Sequence, residues 1–456
     1  MAQSPVQTEN KMGVMPVNKL LVSMSVPMML SMLVQALYNI VDSIFVSWIC
    51  EDALTAVSLA FPMQNFMIAV ASGTGVGINS MLSKALGEKN FDKANKIARN
   101  GIFLSICSYI VFLILGLFFT NLYYTSQANG YQTIIDYGNA YLQPVLILSF
   151  GLFMQITFER LLQSTGKTMY TMFTQATGAV INIVLDPILI FGWLGIPAMG
   201  IAGAAYATVI GQIIAAALGL ICNVKKNHEI SLDFRKFRPS GAAIKHIYSV
   251  GIPSIIMISI ASILNFGMNI ILIGMNATAA TVLGIYFKLQ SFVFMPVFGL
   301  NNGMIPIVSY NYGARKRKRI MHTFKLSVMY AVAIMVVGTL VCQIIPEILL
   351  SMFNPSPELI ALGAPALRII SISFVFAAFG IISSGMFQAL GNGIMSLIVS
   401  IIRQLVVILP VAYLLSLTGN VDLVWLAYPI AEVVSVMVSV LFMIRIYKKE
   451  IKVIPE

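Results

Sequence analysis

Charge is what this sequence has least of. Of its 456 residues only 10% are Asp, Glu, Lys or Arg, while 58% belong to the hydrophobic set. An ordinary soluble domain is about 25% charged and about 45–50% apolar. A chain this long and this apolar lacks the surface to stay in water, which excludes a soluble enzyme, a disordered chain and a fibrous protein. Cysteine is scarce too. Cys50, Cys107, Cys222 and Cys342 are scattered without a CxxC pair, so neither a disulfide framework nor a thiolate metal site is expected. The three histidines, His228, His246 and His322, lie in or beside basic stretches and give no buried metal site either. Acids number 17 against 28 basic residues, a net charge of +11. In a membrane chain this excess reflects retention of Lys and Arg on the cytoplasmic side, so no nucleic-acid partner is expected.

What is there is hydrocarbon-compatible helix. A span needs about 20 mostly apolar residues, and twelve such stretches follow one another along the chain. The polar segment 1–19 carries no apolar core, so no cleaved signal is expected. Apart from Lys288, Arg368 and Arg403, which fall inside spans, the basic residues lie on one side of the resulting topology: Lys11, Lys19, Lys89 to Arg99, Lys167, Lys225 to Lys245, the run Arg315-Lys316-Arg317-Lys318-Arg319 and Arg445 to Lys452. The opposite connections carry Glu51, Asp52, Asp136, Glu347, Glu358 and Asp422. Both termini are therefore expected in the cytoplasm.

The chain also repeats. Sliding it on itself by 226 residues aligns the first two spans with the seventh and eighth, pairing Pro27 with Pro253, Asn39 with Asn265, Gln64 with Gln290, Gly73 with Gly299 and Gly87 with Gly313. The expected fold is an all-α polytopic membrane protein of twelve transmembrane helices in two pseudo-symmetric six-helix bundles. The first lobe covers 20–222 and the second 246–447. A basic cytoplasmic linker, 223–245, joins them, and 448–456 is a cytoplasmic tail. Six spans per half give both repeats the same orientation, and such parallel repeats are a transporter signature, with the site at their interface.

Few ionisable residues fall inside spans, and each is a functional candidate by default. Asp42 lies 22 residues beyond Leu20, roughly 33 Å, and Asp186 lies 17 beyond Met169, roughly 26 Å. Both helices enter from the cytoplasm, so the two carboxylates reach similar depth in the outer half. Tyr38 and Asn39 precede Asp42 by four and three residues, and Asn182 precedes Asp186 by four, each on the helical face of its acid. Thr208, on the returning sixth span, comes to the same depth. Such oxygens take a proton or coordinate a hard cation such as Na+, and loss of water favours the protonated form of a carboxyl. The ion-coupling set is therefore Asp42, Asn182, Asp186, Thr208 and Asn39, with no metal beyond Na+ at Asp42, Asn182 and Asp186. In the second half Asp42 pairs with Met268, so the ion site is expected in the first lobe alone. Cleft candidates are Tyr38, Gln64, Gln290 and Met268. Arg403 and Glu432 read as a structural ion pair, Glu159 with Arg160 as a gate or loop anchor, and Pro27 as a hinge because proline removes a helix hydrogen bond.

Several stretches together resemble the MATE (multidrug and toxic compound extrusion) family. They are Ala36-Leu37-Tyr38-Asn39-Ile40-Val41-Asp42, Ala53-Leu54-Thr55-Ala56, Phe61-Pro62, Gly87-Glu88-Lys89, Ile181-Asn182-Ile183-Val184-Leu185-Asp186-Pro187 and Gly200-Ile201-Ala202-Gly203-Ala204-Ala205. The resemblance covers all twelve spans and leans to the bacterial branch with MepA-type and DinF-like exporters. It implies two lobes around a V-shaped cleft, a monomer in a bacterial plasma membrane, and export of cationic or amphiphilic small molecules driven by H+ or Na+ entry. It also implies coupling by Asp42, Asn182 and Asp186, with no cofactor. The competing readings are a lipid-linked glycan flippase of the same superfamily, an intramembrane aspartyl protease, for which the GxGD context is absent, and a passive channel.

Overall fold

The computed structural model describes residues 9–128, 130–235, 237–353 and 355–455. Of the expected segment 1–19, residues 1–8 lie outside the described residues, as does residue 456 of the tail. Among the described residues every regular element is helical. A backbone surrounded by hydrocarbon must bond to itself, and apolar runs of this length settle as helices.

The first lobe comprises α1 (Val17–Ser47), α2 (Glu51–Gly87), α3 (Phe91–Phe118), α4 (Gln132–Ile147 with Phe150–Ser164), α5 (Thr168–Phe191) and α6 (Ile201–Lys226). The second comprises α7 (Gly241–Met275), α8 (Ala277–Gly313), α9 (Arg317–Ile344), α10 (Pro357–Ser371 with Ser373–Ala389), α11 (Gly393–Ser416) and α12 (Val421–Ile451). Ten are single helices long and apolar enough to cross a membrane, and α4 and α10 are pairs bent by 45° and 47°. At these two spans a single apolar stretch of the sequence forms two helices meeting at a bend. Hydropathy has no signal for a broken hydrogen-bond ladder. The joining segment is shorter than the expected 223–245, because α6 continues through Lys226 and α7 starts at Gly241.

The sequence repeat is a packing repeat. In the first lobe α1 packs on α5, α2 on α4 and α4 on α6. In the second, α7 packs on α11, α8 on α10 and α10 on α12. Across the molecule α2 meets α7 and α1 meets α8, and glycine sets how closely. A Cβ at Gly73 would lie 2.7 Å from the backbone nitrogen of Ile255, and one at Gly299 would lie 2.6 Å from that of Met29. These are one contact made twice, since Gly299 and Ile255 are the 226-residue images of Gly73 and Met29. Gly87 against the carbonyl of Tyr310 and Gly313 against that of Lys84 form a second such pair, closer than any side chain allows.

The Gly87 and Gly313 contacts lie at one face of the molecule, here termed the basic face, and those of Gly73 and Gly299 lie 14 residues, about 21 Å, further along α2 and α8. A strap before α1 also crosses the basic face. The one-turn helix Lys11–Val14 is capped by Asn10, whose side chain accepts from the Met12 amide at 2.8 Å. Asn10 Nδ2 donates to the Thr165 carbonyl (3.1 Å) and to Glu229 Oε2 (2.6 Å) on the first-lobe side. From the second lobe, Asn311 and Arg319 donate to the Met12 carbonyl, Arg319 also donates to that of Met15, and Lys316 pairs with Glu9 at 2.6 Å. Lys316 holds the Glu9 carboxyl below its ordinary range, and burial pushes that of Glu229 up. Away from this face, the farthest hydrogen bond between lobes among the described residues is Asn65 Nδ2 to Ser262 Oγ, 2.8 Å.

Gly87→Ala and Gly313→Ala are expected to destabilise the protein by about 1–3 kcal/mol each, the usual cost of overpacking. Gly284→Ala, at a helical glycine with open space in front of it, is expected to be neutral or slightly stabilising. Thermal unfolding of the three purified variants in one detergent measures the ordering.

Candidate functional site

On α5 the residues Thr171, Thr174, Gly178, Asn182 and Asp186 recur every three or four positions and are all buried. This is the inward stripe of the helix. It faces a run of small residues on α6. A Cβ at Gly211 would lie 2.7 Å from the Gly178 carbonyl, and one at Gly178 would lie 3.1 Å from the Gly211 carbonyl. That close approach lets Asn182 reach across. Its Nδ2 donates to Thr208 Oγ1 at 3.2 Å and, at the long limit of 3.4 Å, to Asp186 Oδ1.

Asp186 is fully buried. Asp42, on α1, lies within Coulombic reach of it, and Tyr38 lies within reach of Asp42, Asp186 and Glu159. Three acceptor oxygens in this cluster, Asp42 Oδ1, Asn182 Oδ1 and Asp186 Oδ2, are buried and have no hydrogen-bond partner. Carboxylate and amide oxygens in that state are suited to a proton or to a hard monovalent cation. No grouping of three or more His, Cys, Asp or Glu suited to a metal occurs among the described residues.

The cluster adjoins a cavity of about 350 Å³ between the lobes, walled by Tyr38, Gln35, Asn182, Thr208, Gln175, Glu159 and Arg160 from the first lobe and by Met295 and Asn302 from the second. Neither Asp42 nor Asp186 lines it. Asn182, bonded to Asp186, and Tyr38, one helical turn before Asp42, do line it. Glu159, read from sequence as a gate or loop anchor, is buried in the cavity wall and accepts from Gln155 Nε2 at 3.0 Å. Arg160 NH1 donates to Gln163 Oε1 (2.9 Å) and, across the lobe boundary, to Asn302 Oδ1 (3.3 Å). Sequence reasoning missed Gln35 and Gln175, which bond to each other at 3.2 Å. Both sit seven residues before a coupling candidate, Asp42 and Asn182, on the same helical face, and that spacing was the available signal.

Other candidates fall elsewhere. Asn39 is exposed, and its side chain bonds to none of the cluster. Met268 is fully buried on the Leu264–Met268–Leu272 stripe, so it belongs to the core of the second lobe rather than to the cleft. Gln64 Nε2 donates to Tyr141 OH at 3.2 Å and ties α2 to α4. Pro27 is buried within α1, its carbonyl accepting from Ser31 Oγ. Gln290 lines a second chamber, about 330 Å³, together with Arg403 and Glu432, and Met295 borders both spaces. The expected ion pair is present there, Arg403 NH1 to Glu432 Oε1 at 3.1 Å.

The family model MatE matches residues 27–188 and 253–414, one copy in each lobe. The multidrug export protein MepA of Staphylococcus haemolyticus (strain JCSC1435) is 27% identical over 409 residues, 89% of each chain. Its namesake in Staphylococcus aureus (strain MRSA252) is 26% identical over 413 residues, 90% of each. The fold superposes with TM-score 0.91 and 26% identity on a solved outward-facing conformation of a multidrug resistance MATE family transporter of the MOP superfamily, covering 98% of this chain and 99% of that one.

Arg160→Met keeps an unbranched apolar stem but removes both hydrogen bonds of the guanidinium and the cation beside Glu159. A loss of about 2 kcal/mol is expected, in the range for bonds to charged groups. It is measured as a drop in melting temperature that Asn302→Ala reproduces only in part.

Proposed function

The chain belongs to the MatE family, and from that premise we propose that it is a secondary antiporter exporting cationic or amphiphilic small molecules in exchange for H+ or Na+. The observation that carries this reading is the trio of buried, unpartnered acceptor oxygens on Asp42, Asn182 and Asp186, set one side chain behind the cavity. A site for a small cation and a site for a larger one thus share a wall. The cavity wall itself holds Glu159 and a set of glutamines beside apolar Met28, Met32 and Met295. Methionine repacks around ligands of different shape, and amide groups bond to donors and acceptors alike.

In this reading the basic face is cytoplasmic, as the distribution of Lys and Arg supports, and the cleft opens to the outside of a bacterial plasma membrane. The transporter works as a monomer. Arrival of the coupling cation at Asp42 and Asp186 neutralises charge that had favoured a cationic substrate. Asn182, bonded to both Asp186 and Thr208, rearranges with them, α1 bends near Pro27, and the substrate leaves outward. Return requires the glycine contacts at the basic face to part, the alternating access expected of duplicated bundles. A ligand shifts such an equilibrium only by its difference in affinity for the two states. Here that difference is the electrostatic competition of cation and substrate for one set of oxygens.

Efflux of a fluorescent lipophilic cation from proteoliposomes, with pH and Na+ gradients imposed separately, tests the proposal. Wild type is expected to respond to one gradient, which names the ion. Asp42→Asn and Asp186→Asn are each expected to lose gradient-driven efflux by at least about tenfold, the equivalent of about 1.4 kcal/mol of coupling. Full gradient-driven export by either variant would refute the assignment.

A further inference from the structure

The second lobe buries polar groups that this reading leaves idle. Along α12, Trp425 Nε1, Tyr428 OH, Glu432 Oε2, Ser435 Oγ and Ser439 Oγ are all buried, and none has a hydrogen-bond partner. Their spacing of three, four, three and four residues places them on one helical face. At 1.5 Å per residue the stripe runs about 21 Å. Folded proteins leave few buried polar groups unsatisfied, and five aligned on one helix are not scattered accidents of packing. Their usual satisfaction is internal water, which needs room as well as polar partners.

Room is offered by the second chamber, about 330 Å³, which Tyr428 and Glu432 line. Gly380 on α10 faces the stripe, and a Cβ at that position would be in ordinary contact with Ser435 Oγ at 3.6 Å and Glu432 Oε2 at 3.9 Å. Three residues on, Ser383 of the same helix is also buried and unpartnered. At Tyr428 and Glu432 the stripe opens on the second chamber, where Arg403 and Gln404 form part of the wall. Arg403 lies in a π-helical run, Ile402–Ile408, interrupting α11. Such segments are rare and concentrate at functional sites.

From this geometry we infer that the second lobe contains a hydrated file along α12, entered from the chamber at Tyr428, with Glu432 as its proton-binding group. The groups facing Glu432 are Arg403 from α11, Tyr428 one turn away on α12, and Tyr286 from α8, with Cys342 of α9 behind Tyr286. α10 contributes Gly380 and Ser383, neither of them titratable. A proton delivered by water to Oε2 turns the Arg403–Glu432 pair from net neutral to net positive. The guanidinium then stands without a counter-ion beside a chamber that shares Met295 with the first cavity. Proton entry here would repel a cationic substrate independently of Asp42 and Asp186. The hydrated file and its proton-binding group stand apart from the first-lobe reading, and only the effect on a cationic substrate rests on it.

Infrared difference spectroscopy of the full-length protein in lipid, perfused alternately with acidic and alkaline buffer, tests it without any transport step. A protonated-carboxyl band is expected that disappears in Glu432→Gln, survives Asp42→Asn with Asp186→Asn, and shifts promptly in heavy water. Gly380→Val and Ser435→Val are expected to keep the band but slow its exchange about tenfold, the kinetic equivalent of losing a hydrogen bond to a charged group. A full set of carboxyl bands in a Glu432→Gln variant that melts like wild type would overturn the proposal. So would a Glu432 band that exchanges no faster in wild type than in the two valine variants.

Discussion

Backbone touching backbone at the basic face is the constraint on which the rest of the structure depends. Wherever α2 meets α7 and α1 meets α8, glycine removes the side chain that would hold the helices apart. Four of the longest helices are thereby pinned near one end. The cavity lies between these helices, which contribute Met28, Ser72, Met295 and Asn302 to its wall. The pseudo-two-fold arrangement of the contacts makes the pinning even-handed, so that neither lobe is a platform on which the other moves. Because these contacts are dispersive and carry no interlocked side chains, they are individually weak. A joint of that kind holds a state without locking it.

The cavity's chemistry follows from what the acids are denied. Asp186 is fully enclosed, and its hydrogen bond comes from Asn182 at the long limit. A carboxylate removed from water and incompletely bonded retains a strong demand for positive charge. Tyr38 and Asn182, neutral and able both to donate and to accept, are the members of this cluster that line the cavity. The second lobe solves the same problem differently, offsetting the charge of Glu432 with Arg403. Duplication supplied the scaffold twice, but the charge was placed once as open acid and once as a pair.

Much of this was legible in the sequence because membrane helices obey simple arithmetic. Apolar length gave the spans, and the repeat gave the two lobes. Rise per residue brought Asp42, Asp186 and Thr208 to one depth, and Asn182 indeed bonds to both Asp186 and Thr208. The pairing of Arg403 with Glu432 was legible for the same reason. Asn39 and Met268 went astray because a position on a helix does not say which neighbour covers it. Met268 is turned into its own lobe by the same stripe that carries Leu264 and Leu272. The bends in α4 and α10 leave no mark on composition, and the role of Arg160 depends on Asn302, which lies in the other lobe.

The strap at Lys11–Val14 has a mechanical consequence. It belongs covalently to the first lobe through α1, yet most of its hydrogen bonds are made with Asn311, Lys316 and Arg319 of the second. It is in effect a leash. The two-residue link from Met15 to Val17 spans at most about 7 Å when taut. Met15 (φ −63°, ψ 142°) and Pro16 (φ −50°, ψ 131°) already hold that link extended, so it has almost no slack. Any separation of the lobes at this face would load the bonds to the Met12 and Met15 carbonyls at once.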